Sequence, residues 1–512
     1  MGIRAASLTA FLGLTAAGAA EAQAPLSAID WLSDSVATQV DPLPSQPREE
    51  AVTRGVTSET ITVTALDDLS FDSVGLIPAA VSGLPRDLWG ITPSGELARL
   101  LALLKPGLLP AMQDLVTLLL LAELDPPVDS DPTDQLFLAR VDVLLGLGAV
   151  DQAHALLERA GPETPETFRR WFDTSLLIGT EKIACDTLRA APDLTPKLPA
   201  RIFCLARGGD WNAAVLTLGT GRALGEVTPD EDDLLTRFLD IENFEDAAPL
   251  PVPNRPSPLT FRLYEAIGEA LVTTTLPLAF AFADLDNNTG WKAQLEAAER
   301  LAKAGSFSEN KLLGLYTERS PAASGGIWDR VTALQRFDAA LETGNPPAIA
   351  ATLPAAWFAM RQVKLQTVFA SLYAEPLQKI ALEGDIAALS FRIGLLSRDY
   401  ESVAAKWTPR DAEDSFLVAV ARGDLSGVTP YNAVAQAIAD GFTAPSAPPE
   451  LAALVRNQEL GAAILRAILQ SEHGTDGDLD KLVGALALLR SVGLEDVARR
   501  AALQVLIQGL SG

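Results

Sequence analysis

From Thr92 to the C-terminus apolar side chains recur every three or four positions, the spacing that gathers them on one face of an α-helix. Six Thr-Pro dipeptides punctuate this run, at 92–93, 164–165, 195–196, 228–229, 408–409 and 429–430. Threonine at the N-cap accepts a hydrogen bond from an orphan amide, and proline at the first helical position lacks the N–H that would go unpaired there. Each dipeptide therefore predicts the start of a short helix, and Thr228 with Glu231 has the spacing of a capping box. Two proline-dense stretches break the pattern, at 246–260 and 443–450. Ahead of the helices, Thr60-Ile-Thr-Val-Thr-Ala65 alternates threonine with apolar residues as a strand does, and the proline-rich run from Asp41 to Pro47 is predicted to be extended. The predicted fold is all-α, a helical-hairpin solenoid with a short β or extended N-terminal arm. Its parts are a leader (1–22), the arm (23–91), a helical repeat domain (92–245), a proline-rich linker (246–260), a second helical domain (261–442) and C-terminal helical hairpins (443–512).

A repeat lies within the first helical stretch. Gly148, Gly179 and Gly209 are 31 and 30 residues apart, and each is followed at the same offset by a small residue, Ala153, Ala184 or Ala214. Leu157, Leu188 and Leu218 keep the register, as do Phe137, Phe168 and Leu198, then Val141, Phe172 and Ile202, in the preceding helices. Such a unit is a helical hairpin: glycine permits the tight turn, alanine lets the two helices approach, and the leucine row buries against the next unit. The order resembles the tetratricopeptide repeat, and Gly209-Asp-Trp211 is similar to that family's Gly-Asp-Tyr turn. Arg398-Asp-Tyr400 with Val403 and Trp407, and Gly493 with Glu495, Ala498 and Ala502, echo it further on. The resemblance covers about 90 residues, near 132–223. Two departures stand out: the period is shorter than that family's 34 residues, and Val141, Phe172 and Ile202 replace the small residue expected in the first helix. The resemblance implies stacked hairpins with a curved protein-binding surface.

Charge narrows the function. Forty Lys and Arg against 66 Asp and Glu leave a formal charge of −26, which repels nucleic acid and anionic membrane surfaces. Two His and two Cys in 512 residues exclude nearly every His/Cys metal site and most His-based nucleophile arrangements. Residues 1–22 read as a signal peptide, with Arg4 in the positive region, an apolar stretch from Ala5 to Ala20, and an Ala20-Glu-Ala22 cleavage site. The expected address is therefore the periplasm, with no membrane insertion after cleavage. In that oxidising compartment Cys185 and Cys204, 19 residues apart, read as a structural disulfide. The resemblance puts them on neighbouring antiparallel helices.

Candidate chemistry is sparse. Asp284, Asp286 and Asn288 alternate as calcium ligands do, but Thr289 stands where the turn glycine belongs and Leu295 where the bidentate acid belongs. The stretch is read as a loop capping the helix at Trp291, and Asp476, Asp478 and Asp480 as caps too. Gly219, Gly221 and Gly225 follow a helix instead of a strand, so they make no dinucleotide loop. Ser324 lacks a nearby base; His154 falls on a repeat helix and His473 in a polar turn, neither with a nucleophile at a recognisable spacing. Asp230 to Asp233 form the densest acidic group and open a helix, where they oppose its dipole. No catalytic residues, metal or cofactor are assigned. The expected function is a non-enzymatic periplasmic scaffold or adaptor that binds an envelope protein, one with a basic face being favoured. The alternative is an envelope enzyme or accessory subunit acting on peptidoglycan or other glycan with carboxylates.

Overall fold

A computed structural model describes residues 70–131, 133–195, 197–244, 247–286 and 288–509. The leader, the proline-rich run at 41–47 and the strand at 60–65 lie outside the described residues. The described chain is all-α. A two-residue parallel pair, β1 (Ile77–Pro78) with β2 (Ala122–Glu123), is the one sheet among the described residues. The helices run α1 (Ala79–Ser82), α2 (Ser94–Ala102), α3 (Pro110–Leu121), α4 (Gln135–Gly146), α5 (Val150–Ala160), α6 (Pro165–Ile178), α7 (Glu181–Ala190), α8 (Leu198–Arg207), α9 (Trp211–Leu224), α10 (Pro229–Leu239) and α11 (Pro258–Ala266). After two 3-10 segments come α12 (Trp291–Lys303), α13 (Glu309–Thr317), α14 (Ile327–Glu342), α15 (Pro346–Gln362), α16 (Gln366–Leu377), α17 (Gly384–Leu395) and α18 (Tyr400–Lys406). The chain ends with α19 (Ala412–Arg422), α20 (Ala433–Thr443), α21 (Pro449–Arg456), α22 (Leu460–Thr475), α23 (Leu479–Ser491) and α24 (Glu495–Gln508). No described helix is long and apolar enough to cross a membrane.

The repeat units are three helical hairpins, α4–α5, α6–α7 and α8–α9. Gly148, Gly179 and Gly209 sit in their turns with φ of 75°, 84° and 87°, the left-handed region that a side chain disfavours. Ala153, Ala184 and Ala214 are fully buried where the helices meet, and Leu157, Leu188 and Leu218 are buried beside them. Cys185 on α7 and Cys204 on α8 lie at disulfide distance, with Cα atoms 5.0 Å apart. They tie the second hairpin to the third. Reduction is expected to lower unfolding stability by about 3 kcal/mol, because the cross-link restricts the unfolded chain. Non-reducing peptide mapping should recover the two cysteine peptides joined; two free thiols, or equal stability with and without reductant, would contradict this.

Helix starts follow the Thr-Pro dipeptides only in part. Thr164 and Thr228 cap α6 and α10 through reciprocal capping boxes. Thr195, Thr408 and Thr429 do not cap: α8, α19 and α20 begin three or four residues later, the last two on Asp411 and Asn432. Asp and Asn accept the N-cap bond more readily than Thr, so they set the start when they stand just beyond the proline.

Tertiary packing also redraws the predicted domains. Residues 70–91, assigned above to an extended arm, belong to the folded body. Leu88 and Trp89 are each 1% exposed, and the Gly461 amide at the start of α22 donates to the Leu88 carbonyl at 2.8 Å. One apolar core holds residues from Leu84 to Tyr264 and then from Phe391 to Val505, so the repeat hairpins share their interior with the C-terminal helices. Helix α2 packs on α22 and α3 on α24. The Gln504 side chain of α24 accepts from the Ala111 amide at 2.9 Å, and so caps α3 from 393 residues away. A second core, from Leu295 to Leu396, belongs to the middle helices α12–α17. The 247–257 stretch is extended but tied back: Tyr264 Oη donates to the Pro251 carbonyl at 2.7 Å, and the Leu250 amide to Glu269 at 2.8 Å.

Candidate functional site

Within the third hairpin, α9 turns Ala214, Leu218 and Gly221 inward and leaves a second apolar face outward. Trp211 is 47% exposed, Val215 55%, Leu216 72% and Leu224 67%. The only charged residue between Trp211 and Leu224 is Arg222, and it is paired with Asp232 on α10 at 2.5 Å. The local fold explains why this face is bare. In a stack of hairpins a fourth unit would cover it, but α10 is followed by a 3-10 turn at Ile241–Phe244 and, from 247 to 257, an extended stretch, with no second helix among the described residues. Solenoid ends that meet only water ordinarily present a polar outer face; this one is apolar. Its surroundings are acidic, with eight Asp or Glu against two Arg between residues 208 and 244.

The first-helix side of the hairpins is partly filled by the chain itself. Helix α11 packs against α6 and α10. Arg262 on α11 donates to the last carbonyls of α6, Leu176 at 2.8 Å and Leu177 at 3.4 Å, where a cation also complements the helix dipole. A cavity of about 330 Å³ remains between α6, α8, α10 and α11, walled by Phe168, Phe172, Leu234, Leu235 and Leu263. Asp173 lines it. Burial pushes that carboxyl up to about 6 against the opposing pull of Arg169, Lys197 and Arg170. Glu231 lines the same cavity but is held in the capping box by the amide and hydroxyl of Thr228.

The residues singled out from sequence take structural places. Asp284 accepts from the Thr273 hydroxyl, and burial raises its pKa. Asp286 accepts from the Asn288 amide at 3.2 Å, so it does not cap the following helix. Gly290 stands at the N-cap of α12 and no side chain caps the helix, which corrects the capping reading of this loop. Among the described residues no three His, Cys, Asp or Glu side chains are grouped to hold a metal ion. Asp478 does cap α23. His154 is stacked on Trp171 and hydrogen-bonded to Thr174 at 2.9 Å, with burial lowering its pKa. His473 lies in the last turn of α22, not in a loop. Asp230, Glu231 and Asp232 occupy the first turn of α10, and Asp233 follows them.

The exposed set Trp211, Val215, Leu216 and Leu224 was missed by sequence reasoning except for Trp211, read there as a turn residue. The available signal was composition: α9 is apolar on both faces, whereas a surface helix carries charge on one. Compared with known proteins, the chain matches no protein family, no curated relative and no solved structure.

Proposed function

We propose that the protein is an exported, non-enzymatic scaffold or adaptor that docks an envelope protein on the outer face of its third helical hairpin, with the tetratricopeptide-like repeats as the frame. The observation that carries this reading is the bare apolar face of α9 at the end of the hairpin stack. Large apolar side chains at the centre of such a patch supply most of the energy of protein association. The acidic ground around it favours a partner whose contact surface is apolar with a basic rim, and such charges chiefly speed and orient encounter. In the alternative reading, a glycan-processing enzyme or subunit, Asp173 is the carboxyl with a pKa suited to general acid work.

The test is a photo-crosslinking amino acid placed at Leu216 in cells, with Lys311, exposed on α13, as the control position. One protein is expected at near-stoichiometric yield from position 216 and none from 311. The purified pair should then bind, more weakly as salt rises, and Leu216→Glu should weaken binding by about thirtyfold or more, the loss typical of a central interface residue. Equal capture at both positions, or a partner indifferent to Leu216→Glu, would overturn the assignment of this face. No capture at either position would favour the glycan alternative.

A further inference from the structure

A second cavity, of about 320 Å³, lies where the two ends of the folded body meet its middle. Gln113 of α3, Lys303 at the end of α12, Ser308 before α13, Lys364 between α15 and α16, Arg398 between α17 and α18, and Arg500 of α24 all line it. The charge there is opposite to that of the chain as a whole: four cations face only Asp114 and Glu309, in a protein of net charge −26. Asp114 is already neutralised by Arg500. Among the described residues Lys303, Lys364 and Arg398 form no ion pair, and neither does Glu309, so the lining carries an excess of two positive charges. Unpaired cations lining one cavity make it locally attractive to an anion in an otherwise negative chain.

An independent feature points the same way. Gln113, a residue 3% exposed, lines this cavity, and among the described residues its buried side-chain nitrogen has no hydrogen-bond partner. A buried donor left unpaired costs about 1–3 kcal/mol, and an acceptor in the cavity would remove that cost. At the mouth, Ser308 occupies the N-cap of α13 without using its hydroxyl as a cap, which leaves it available too.

We propose that this cavity binds a small doubly charged oxyanion, held by Lys303, Lys364 and Arg398 above the Gln113 amide. The volume suits a small organic anion, with Phe307 and Leu396 offering apolar wall to its carbon part. A dianion balances the surplus charge, and both ammonium and guanidinium groups bind phosphoryl or carboxylate oxygens. Because its ligands come from α3 and from the middle segments around 303, 364 and 398, the bound anion would clamp together segments up to 285 residues apart in sequence. The site is independent of the α9 face.

Titration calorimetry of the full mature protein at fixed ionic strength tests this, with inorganic phosphate and malonate as separate probes. One site per chain with a dissociation constant below about 1 mM is expected for at least one probe. Phosphate alone would assign a phosphoryl group, malonate alone a dicarboxylate, and both the shared charge. Arg398→Glu and Lys303→Glu, each at an exposed position, should weaken binding at least tenfold while far-ultraviolet circular dichroism and Tm stay unchanged. Gln113→Leu gives a second line of test at the buried floor and should also weaken it. No heat from either probe at about 10 mM would overturn the proposal. Binding that survives both charge reversals would overturn it equally, as an adventitious ion only.

Discussion

Replacing Arg140 with methionine is expected to destabilise the protein by about 4 kcal/mol, because each buried acceptor that loses its donor costs about 1–3 kcal/mol. Arg140 is 1% exposed, and its guanidinium donates to three carbonyls: Leu120 at 2.9 Å, Asp72 at 3.1 Å and Ala122 at 3.2 Å. Burial pulls its pKa down to about 10, while the Asp72 carboxylate favours the charged form. Asp72, also 1% exposed, accepts from the Phe137 amide at 2.7 Å and the Ser130 hydroxyl at 2.6 Å. These two residues fasten the 70–78 segment to the end of α3 and the start of α4. Methionine fills the volume but leaves three carbonyls without donors and Asp72 without its cation. Equilibrium denaturation measures the loss, and a drop below about 1 kcal/mol would show that water replaces the guanidinium. In the double variant with Asp72→Asn the two effects should not add, since each removes the other's partner.

Glu299→Ala should cost about 3–5 kcal/mol for the same reason in the second core. Glu299 on α12 receives both arms of the Arg330 guanidinium from α14, each at 2.7 Å, and the hydroxyl of Tyr316 from α13. The pair is nearly buried, and the tyrosine is wholly so, with burial raising its pKa well above the ordinary value. Truncating the glutamate strands a buried cation and a buried hydroxyl at once. Tyr316→Phe removes the bond donated to Glu299 and the longer one accepted from Arg330 Nε at 3.3 Å, leaves the ion pair in place, and should cost about 1–2 kcal/mol. Glu299→Leu combined with Arg330→Met should recover most of the loss, because an apolar pair of similar volume avoids desolvating two charges. A double variant as unstable as Glu299→Ala would refute this account of the network.

Neither network was legible from the sequence. Arg140 sits on a mostly apolar helix and Glu299 among ordinary charged residues, and nothing local shows which distant groups would hold either side chain. The carbonyls that hold Arg140 come from positions 72, 120 and 122, and no periodic pattern relates those positions to 140. The repeat hairpins were legible, because each depends on contacts within about thirty residues: a glycine turn, a small residue at the helix crossing and a leucine row. The linker at 246–260 was misjudged for the converse reason. Proline density does report an extended backbone, but whether that backbone separates two cores or runs across one depends on residues such as Tyr264 and Glu269 that reach back to it.

The candidate surfaces divide in the same way. That α9 is apolar on both sides can be read along fourteen residues; that its outer side stays bare was decided by α10 turning away without a returning helix. The cationic cavity lay beyond the sequence altogether, since Gln113, Lys303, Lys364, Arg398 and Arg500 meet only where α3, α24 and the middle helices come together. The sequence by itself determined the helical class, the hairpin turns, the pairing of Cys185 with Cys204 and the negative surface, each a property of short-range spacing or of composition. Tertiary structure alone decided which helix faces are covered and which distant charges converge, because burial and electrostatic surroundings are set by neighbours in space, hundreds of residues away along the chain.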